Sequence, residues 1–123
     1  MATETINLDV SSSRVFQAFQ PVTNGEDWIA VLNLFDDGSA YDLDGETATM
    51  KVLDPWGTEV LSATGVASDD ADTVTSILTF TLRASSMATL APGSYTVAVR
   101  LVESPATRQI LLARLPVRSS GFE

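Results

Sequence analysis

Apolar residues return at every second position through most of the chain, and that period marks extended strands rather than helices. Ile6, Leu8 and Val10 share one side of residues 5–10. Residues 28–35 are apolar on both sides apart from Asn33, as expected of a central or doubly covered strand. Ala48, Met50 and Val52 alternate with Thr47, Thr49 and Lys51. Val74, Leu78, Phe80 and Leu82 oppose Thr73, Thr75, Ile77, Thr79 and Thr81, with Ser76 interrupting the apolar side. Tyr95, Val97, Val99 and Leu101 oppose Ser94, Thr96, Ala98 and Arg100. Leu111, Ala113, Leu115 and Val117 oppose Ile110, Leu112, Arg114 and Pro116. Threonine fills many of the outward positions, where a β-branched residue suits a solvated sheet face.

Turn chemistry separates these runs. Asp36-Asp37-Gly38-Ser39 sets an Asp-Gly pair between two strands. Asp54-Pro55-Trp56-Gly57 supplies proline and glycine where a tight turn needs fixed and positive φ. Only residues 83–90 have a helical look, with Met87 and Leu90 three apart. The pattern therefore predicts an all-β, immunoglobulin-like antiparallel sandwich of about seven strands, with one short helical turn near 83–90. At 123 residues, one domain spanning 1–123 is expected, with residues 1–20 forming either its first strand or a projecting arm.

Composition narrows the chemistry. With no histidine and no cysteine, the chain lacks the commonest general base, the commonest zinc ligand and any thiolate. An enzyme would have to run on carboxylates, and neither a catalytic residue nor a cofactor is expected. The net charge is −9. Residues 26–72 hold twelve acids against the single base Lys51, whereas residues 83–118 hold five arginines against the single acid Glu103. A phosphate backbone would be repelled by the first region, so nucleic-acid binding is not expected. Residues 1–5 carry no basic start or apolar run, and no stretch reaches the ~20 apolar residues of a membrane span. The expectation is neither secretion by a cleaved signal nor membrane attachment, but synthesis in a cytoplasm.

Two segments resemble the immunoglobulin-like domains of tailed-phage virions, such as the N-terminal domain of the baseplate upper protein of siphophages. One is residues 28–45, WIAVLNLFDDGSAYDLDG, followed by ETATMKVL at 46–53. The other is LAPGSYTVAVR at 90–100, leading through a hairpin into ILLARLPV at 110–117. The last strand departs from that pattern, with Ala113 where glycine is expected. The resemblance spans about residues 26–118. It implies a virion structural part: an adaptor, a tail or baseplate component, or a capsid decoration protein. Partners would be other virion proteins and further copies of the chain. It brings no catalytic residues with it.

Three candidate sites stand beside that reading. Asp69, Asp70 and Asp72, with Asp36 and Asp37 on another loop, have the oxygen ligands that calcium takes. Trp56 and Tyr41, with Trp28 more simply explained as core, have the ring faces with which sandwich modules hold sugars. A carbohydrate- or calcium-binding module is thus the alternative function. Paired carboxylates for glycoside hydrolysis lack any sign of a cleft. The third candidate is a contact surface made by Arg100, Arg108, Ile110, Leu112, Arg114 and Trp56. Ile110 and Leu112 are expected outside the core, and the arginines would meet carboxylates of a neighbour.

Overall fold

The computed structural model describes residues 2–9, 16–43, 46–69, 74–103 and 106–119. Strand forms wherever alternation was read, in the order β1 (Ala2–Asp9), β2 (Phe16–Ala18), β3 (Val22–Thr23), β4 (Trp28–Asp36), β5 (Ser39–Ala40) and β6 (Thr47–Leu53). There follow β7 (Glu59–Thr64), β8 (Val66–Asp69), β9 (Thr75–Leu82), the single helical turn α1 (Ala84–Met87), β10 (Gly93–Glu103) and β11 (Ala106–Arg118). The first sheet runs β1-β4-β9-β8 with β5 on β4; the second runs β2-β11-β10-β6-β7 with β3 on β11. From β4 onward the strands follow the B-to-G order of an immunoglobulin-like sandwich.

The expected all-β sandwich and its helical turn are both present. Two features go beyond the expectation. The described residues form eleven strands rather than about seven, because several are pieces of two to four residues that alternation is too short to reveal. The sheets are also mixed: β1 runs parallel to β4, and β2 and β3 run parallel to β11. The N-terminal region thus supplies strands to both sheets. Val10 lies outside the described residues.

The inner faces are those the alternation marks. Ile6, Leu32 and Leu78 stand in one register row, and Ala30 pairs with Phe80 and Trp28 with Leu82. Across the layer, Met50, Val52, Val97, Val99, Leu101, Leu111, Ala113 and Leu115 are buried from the second sheet. Trp28 is core, in edge-to-face contact with Phe19 at 5.1 Å between ring centroids. Ser76 continues the buried side of β9 despite its hydroxyl.

One expectation is corrected. Ile110 is 4% exposed and belongs to the core. Val99 pairs with Leu111, but Arg100 pairs with Gln109, so Ile110 is the extra residue of a β-bulge in β11. A bulge reverses the alternation beyond it. Ile110 and Leu111 both turn inward as a result, while Leu112 stays outside at 38% exposure, as expected.

Local chemistry fixes the corners. Tyr95 Oη donates to the Ala91 carbonyl at 2.7 Å, the tyrosine-corner bond of these sandwiches. Asp37 and Gly38 hold positive φ of 52° and 86°, the pair a two-residue hairpin turn needs. β7 and β8 form one edge run that passes from the second sheet to the first at Gly65, whose N–H donates to the Ala48 carbonyl at 2.9 Å. A Cβ there would meet the Phe80 ring at 3.0 Å and Ala48 Cβ at 3.1 Å. At the other end, Asp27 Oδ1 accepts the Ala84 N–H at 2.6 Å and so caps α1 from a neighbouring loop, Arg83 itself making no side-chain cap.

Candidate interaction site

Strand alternation sends every second residue of β6, β10 and β11 to the outer side of the second sheet. The register sets Lys51 beside Ala98 and Ala98 beside Leu112; the next row is Thr49, Arg100 and Gln109. Arg114 stands opposite Thr96, and Arg118 ends the same strand. Arg100, Arg114 and Arg118 are exposed. Lys51 pairs with Glu59 at 3.1 Å, both side chains nearly half exposed, an arrangement worth little in water. Among the described residues the three arginines have no carboxylate partner. This outer face is cationic on a protein of charge −9.

The bulge shapes it. With regular pairing Ile110 would stand beside Arg100 on the outer side. Because it turns inward, Gln109 takes that place. Beside it lies an open depression of about 160 Å³ lined by Thr49, Lys51, Ala98, Val99, Arg100 and Gln109. Arg100 lines it as an exposed cation, and Lys51 lines it while paired with Glu59. Of the expected contact residues, Arg100, Leu112 and Arg114 therefore share this face. Arg108 lies beyond the bulge, opposite Leu101, and its side chain is outside the described residues. Trp56 lies elsewhere, on the turn joining β6 to β7. It is 87% exposed, and its backbone N–H is held by Asp54 Oδ1 at 3.0 Å. Sequence alternation could not have shown the depression, since Ile110, Leu111 and Leu112 are apolar in succession and fit the register with or without a bulge.

Asp9, Asp36, Asp37, Asp42 and Asp69 stand at one end of the sandwich, where β4 ends, while Asp27 and Asp54 stand at the other. Asp36 and Asp37 are exposed at the tip of the β4–β5 hairpin. Asp9 straps this tip: its carboxylate accepts the Asp37 N–H at 3.1 Å and the Gly38 N–H at 3.2 Å. Asp42 is exposed just beyond β5, and Leu43 N–H donates to the Thr75 carbonyl at the start of β9. Asp69 stands at the same end and accepts the Thr75 hydroxyl at 2.6 Å. Asp70 and Asp72 lie outside the described residues. Among the described residues no three carboxylates are grouped as metal ligands. Tyr41, half-buried and donating to Glu46 at 2.8 Å, is at this end, whereas Trp56 is at the opposite one. The structure does not bring these rings together as a platform.

What fold and surface define is an all-β sandwich of two mixed sheets with strongly segregated charge. No protein-family model and no curated protein matches the chain. Among solved structures, the N-terminal domain of phage TP901-1 ORF48 is similar in fold, with a TM-score of 0.68 and 12% identity over 97% of this chain and all of that one. CopC from Methylosinus trichosporium OB3b aligns over 62% of this chain and 70% of its own, at 23% identity. Its TM-score of 0.37 is too low to inform the function.

Proposed function

We propose that the protein is a non-enzymatic structural component of a phage virion: an adaptor, tail or baseplate part, or capsid decoration protein, acting through protein–protein contacts. The observation that carries this reading is the end-to-end fold likeness to a phage domain, which leaves almost none of either chain unmatched. The sequence resemblance at residues 28–53 and 90–117 points the same way. The surface fits such a role. Arg100, Arg114 and Leu112 stand on a broad exposed sheet face, and Trp56 is presented by a turn whose backbone Asp54 rigidifies. Exposed aromatic and arginine side chains are the residues that most often anchor protein contacts.

Mass spectrometry of particles purified from lysates of the host that carries the gene tests this reading. The expected outcome is the chain co-purifying with capsid and tail proteins at a fixed stoichiometry through a density gradient. Its presence only in the soluble fraction, with intact particles lacking it, would overturn the proposal.

A further inference from the structure

We propose that copies of this chain dock head to side, the acidic β4–β5 hairpin tip of one copy seating in the cationic depression on the outer face of another's second sheet. This names one partner for the contacts proposed above and rests on that reading only for its biological setting. The two surfaces match in shape and in sign. The tip is the two-residue turn Asp37-Gly38 with Asp36 at the end of β4 before it, both aspartates exposed, on a backbone that the Asp9 carboxylate holds by two N–H groups. A preorganised tip loses little freedom on docking. The receiving depression is lined by Ala98, by the exposed Arg100 and by Lys51, which is paired with Glu59, and Arg114 stands one strand over and one row along from Ala98. Its volume of about 160 Å³ suits one or two carboxylate side chains. Arginine meets carboxylate in paired, directional hydrogen bonds, which would fix the angle of the contact.

Tip and depression lie on different parts of the same molecule, so one contact leaves a free tip on one copy and a free depression on the other. Such a contact is heterologous and builds a ring if the rotation closes, or a filament if it does not. A chain of charge −9 would otherwise repel its copies. The segregation converts part of that repulsion into attraction for one orientation only.

Sedimentation velocity on the full chain at low and high salt tests the inference. The wild type is expected to self-associate at low ionic strength and to come apart as salt rises. The double variants D36K/D37K and R100E/R114E are each expected to associate at least tenfold more weakly. Mixing the two should restore association, because lysine tips then face glutamate-lined depressions while native tips face native ones. Should either double variant unfold, D36K and R114E alone repeat the cycle. A wild type that stays monomeric at all salt concentrations, or variants that associate as it does, or a mixture that fails to recover, overturns the inference. None of these results touches the particle mass spectrometry, so a failure here is separable from a failure of the virion reading.

Discussion

The two outer faces of the sandwich are written in different alphabets. On the first sheet the register rows read Thr3, Ile29 and Thr81; Thr5, Val31, Thr79 and Val66; and Asn7, Asn33, Ile77 and Ser68. No charge stands in these rows, Asp9 in the next row beside Phe35 being the first on that side, and a side-chain hydrogen bond across them joins the neutral pair Asn33 and Asn7 at 3.0 Å. On the second sheet the corresponding rows carry Lys51, Arg100 and Arg114. The inner faces, by contrast, are built from the same small set of aliphatic and aromatic residues. Folding constrains the inside of both sheets equally and says little about the outside. The difference between the outsides is therefore not one that folding requires.

The depression in the second sheet's outer face adjoins the bulge at Ile110, and the largest expected effect comes from testing that bulge directly. Ile110→Asp would place a carboxylate in the core without a partner, at a cost of about 3–5 kcal/mol or outright unfolding. Leu112→Asp, two residues on and on the outer face, should change stability by no more than about 0.5 kcal/mol. Urea denaturation of the two variants decides the matter. Equal losses would mean that β11 alternates without a break, and the depression beside Arg100 would then be filled.

Next in size is Gly65→Ala. The methyl group would press on Phe80 and Ala48 where the edge run changes sheets, and overpacking of this kind costs about 1–3 kcal/mol. A destabilisation of that size by urea titration is expected. A neutral result would show that the edge can move away from Phe80, so that the two sheets are less firmly joined there than the contact distances imply.

The same residues show how much the sequence discloses. Inner faces were legible at Met50, Val52, Val97 and Val99, because a residue and its second neighbour must both be apolar on a buried side. The Asp37-Gly38 turn and the turn at Gly57 were legible because positive φ is nearly reserved for such residues. The inward position of Ile110 was not legible. Ile, Leu and Leu in succession satisfy either register, and only the pairing with β10 selects one. Nor was the parallel course of β1, since direction in a sheet leaves no trace in alternation. The site was half legible. Spacing sets Arg100, Leu112 and Arg114 outward on their own strands, whereas their common face and the depression beside Arg100 follow only from the pairing of β6, β10 and β11. The sign asymmetry of the two chain halves was visible, but which end or face each half occupies followed only from the topology.

Asp9→Ala should have a smaller effect on stability, about 1 kcal/mol, because the carboxylate is partly solvated and its two N–H donors can turn to water. Its consequence for the charged contact should be larger than that figure suggests. A loosened hairpin tip presents Asp36 and Asp37 over a range of positions, and ordering it again weakens docking. Thermal melting together with sedimentation would show a modest fall in Tm alongside a clear loss of self-association. Loss of stability without any change in association would mean that the tip takes no part in it.

The smallest expected effect is the one that best separates the two faces. Thr5 and Thr81 are exposed on the uncharged side, in neighbouring rows of the first sheet. Replacing both by lysine leaves the core untouched, so stability should stay within about 0.5 kcal/mol. The two added charges bring the net value from −9 to −7. If the cationic face and the acidic tip form the contact, this relief of overall repulsion should leave self-association unchanged or slightly stronger at low salt. If instead the neutral sheet face packs against its own copy, two ammonium groups would be buried without partners, and association would disappear at every salt concentration. Sedimentation of Thr5→Lys/Thr81→Lys at two ionic strengths therefore assigns the contact to one face or the other, because one arrangement keeps the associated mass at low salt and the other loses it.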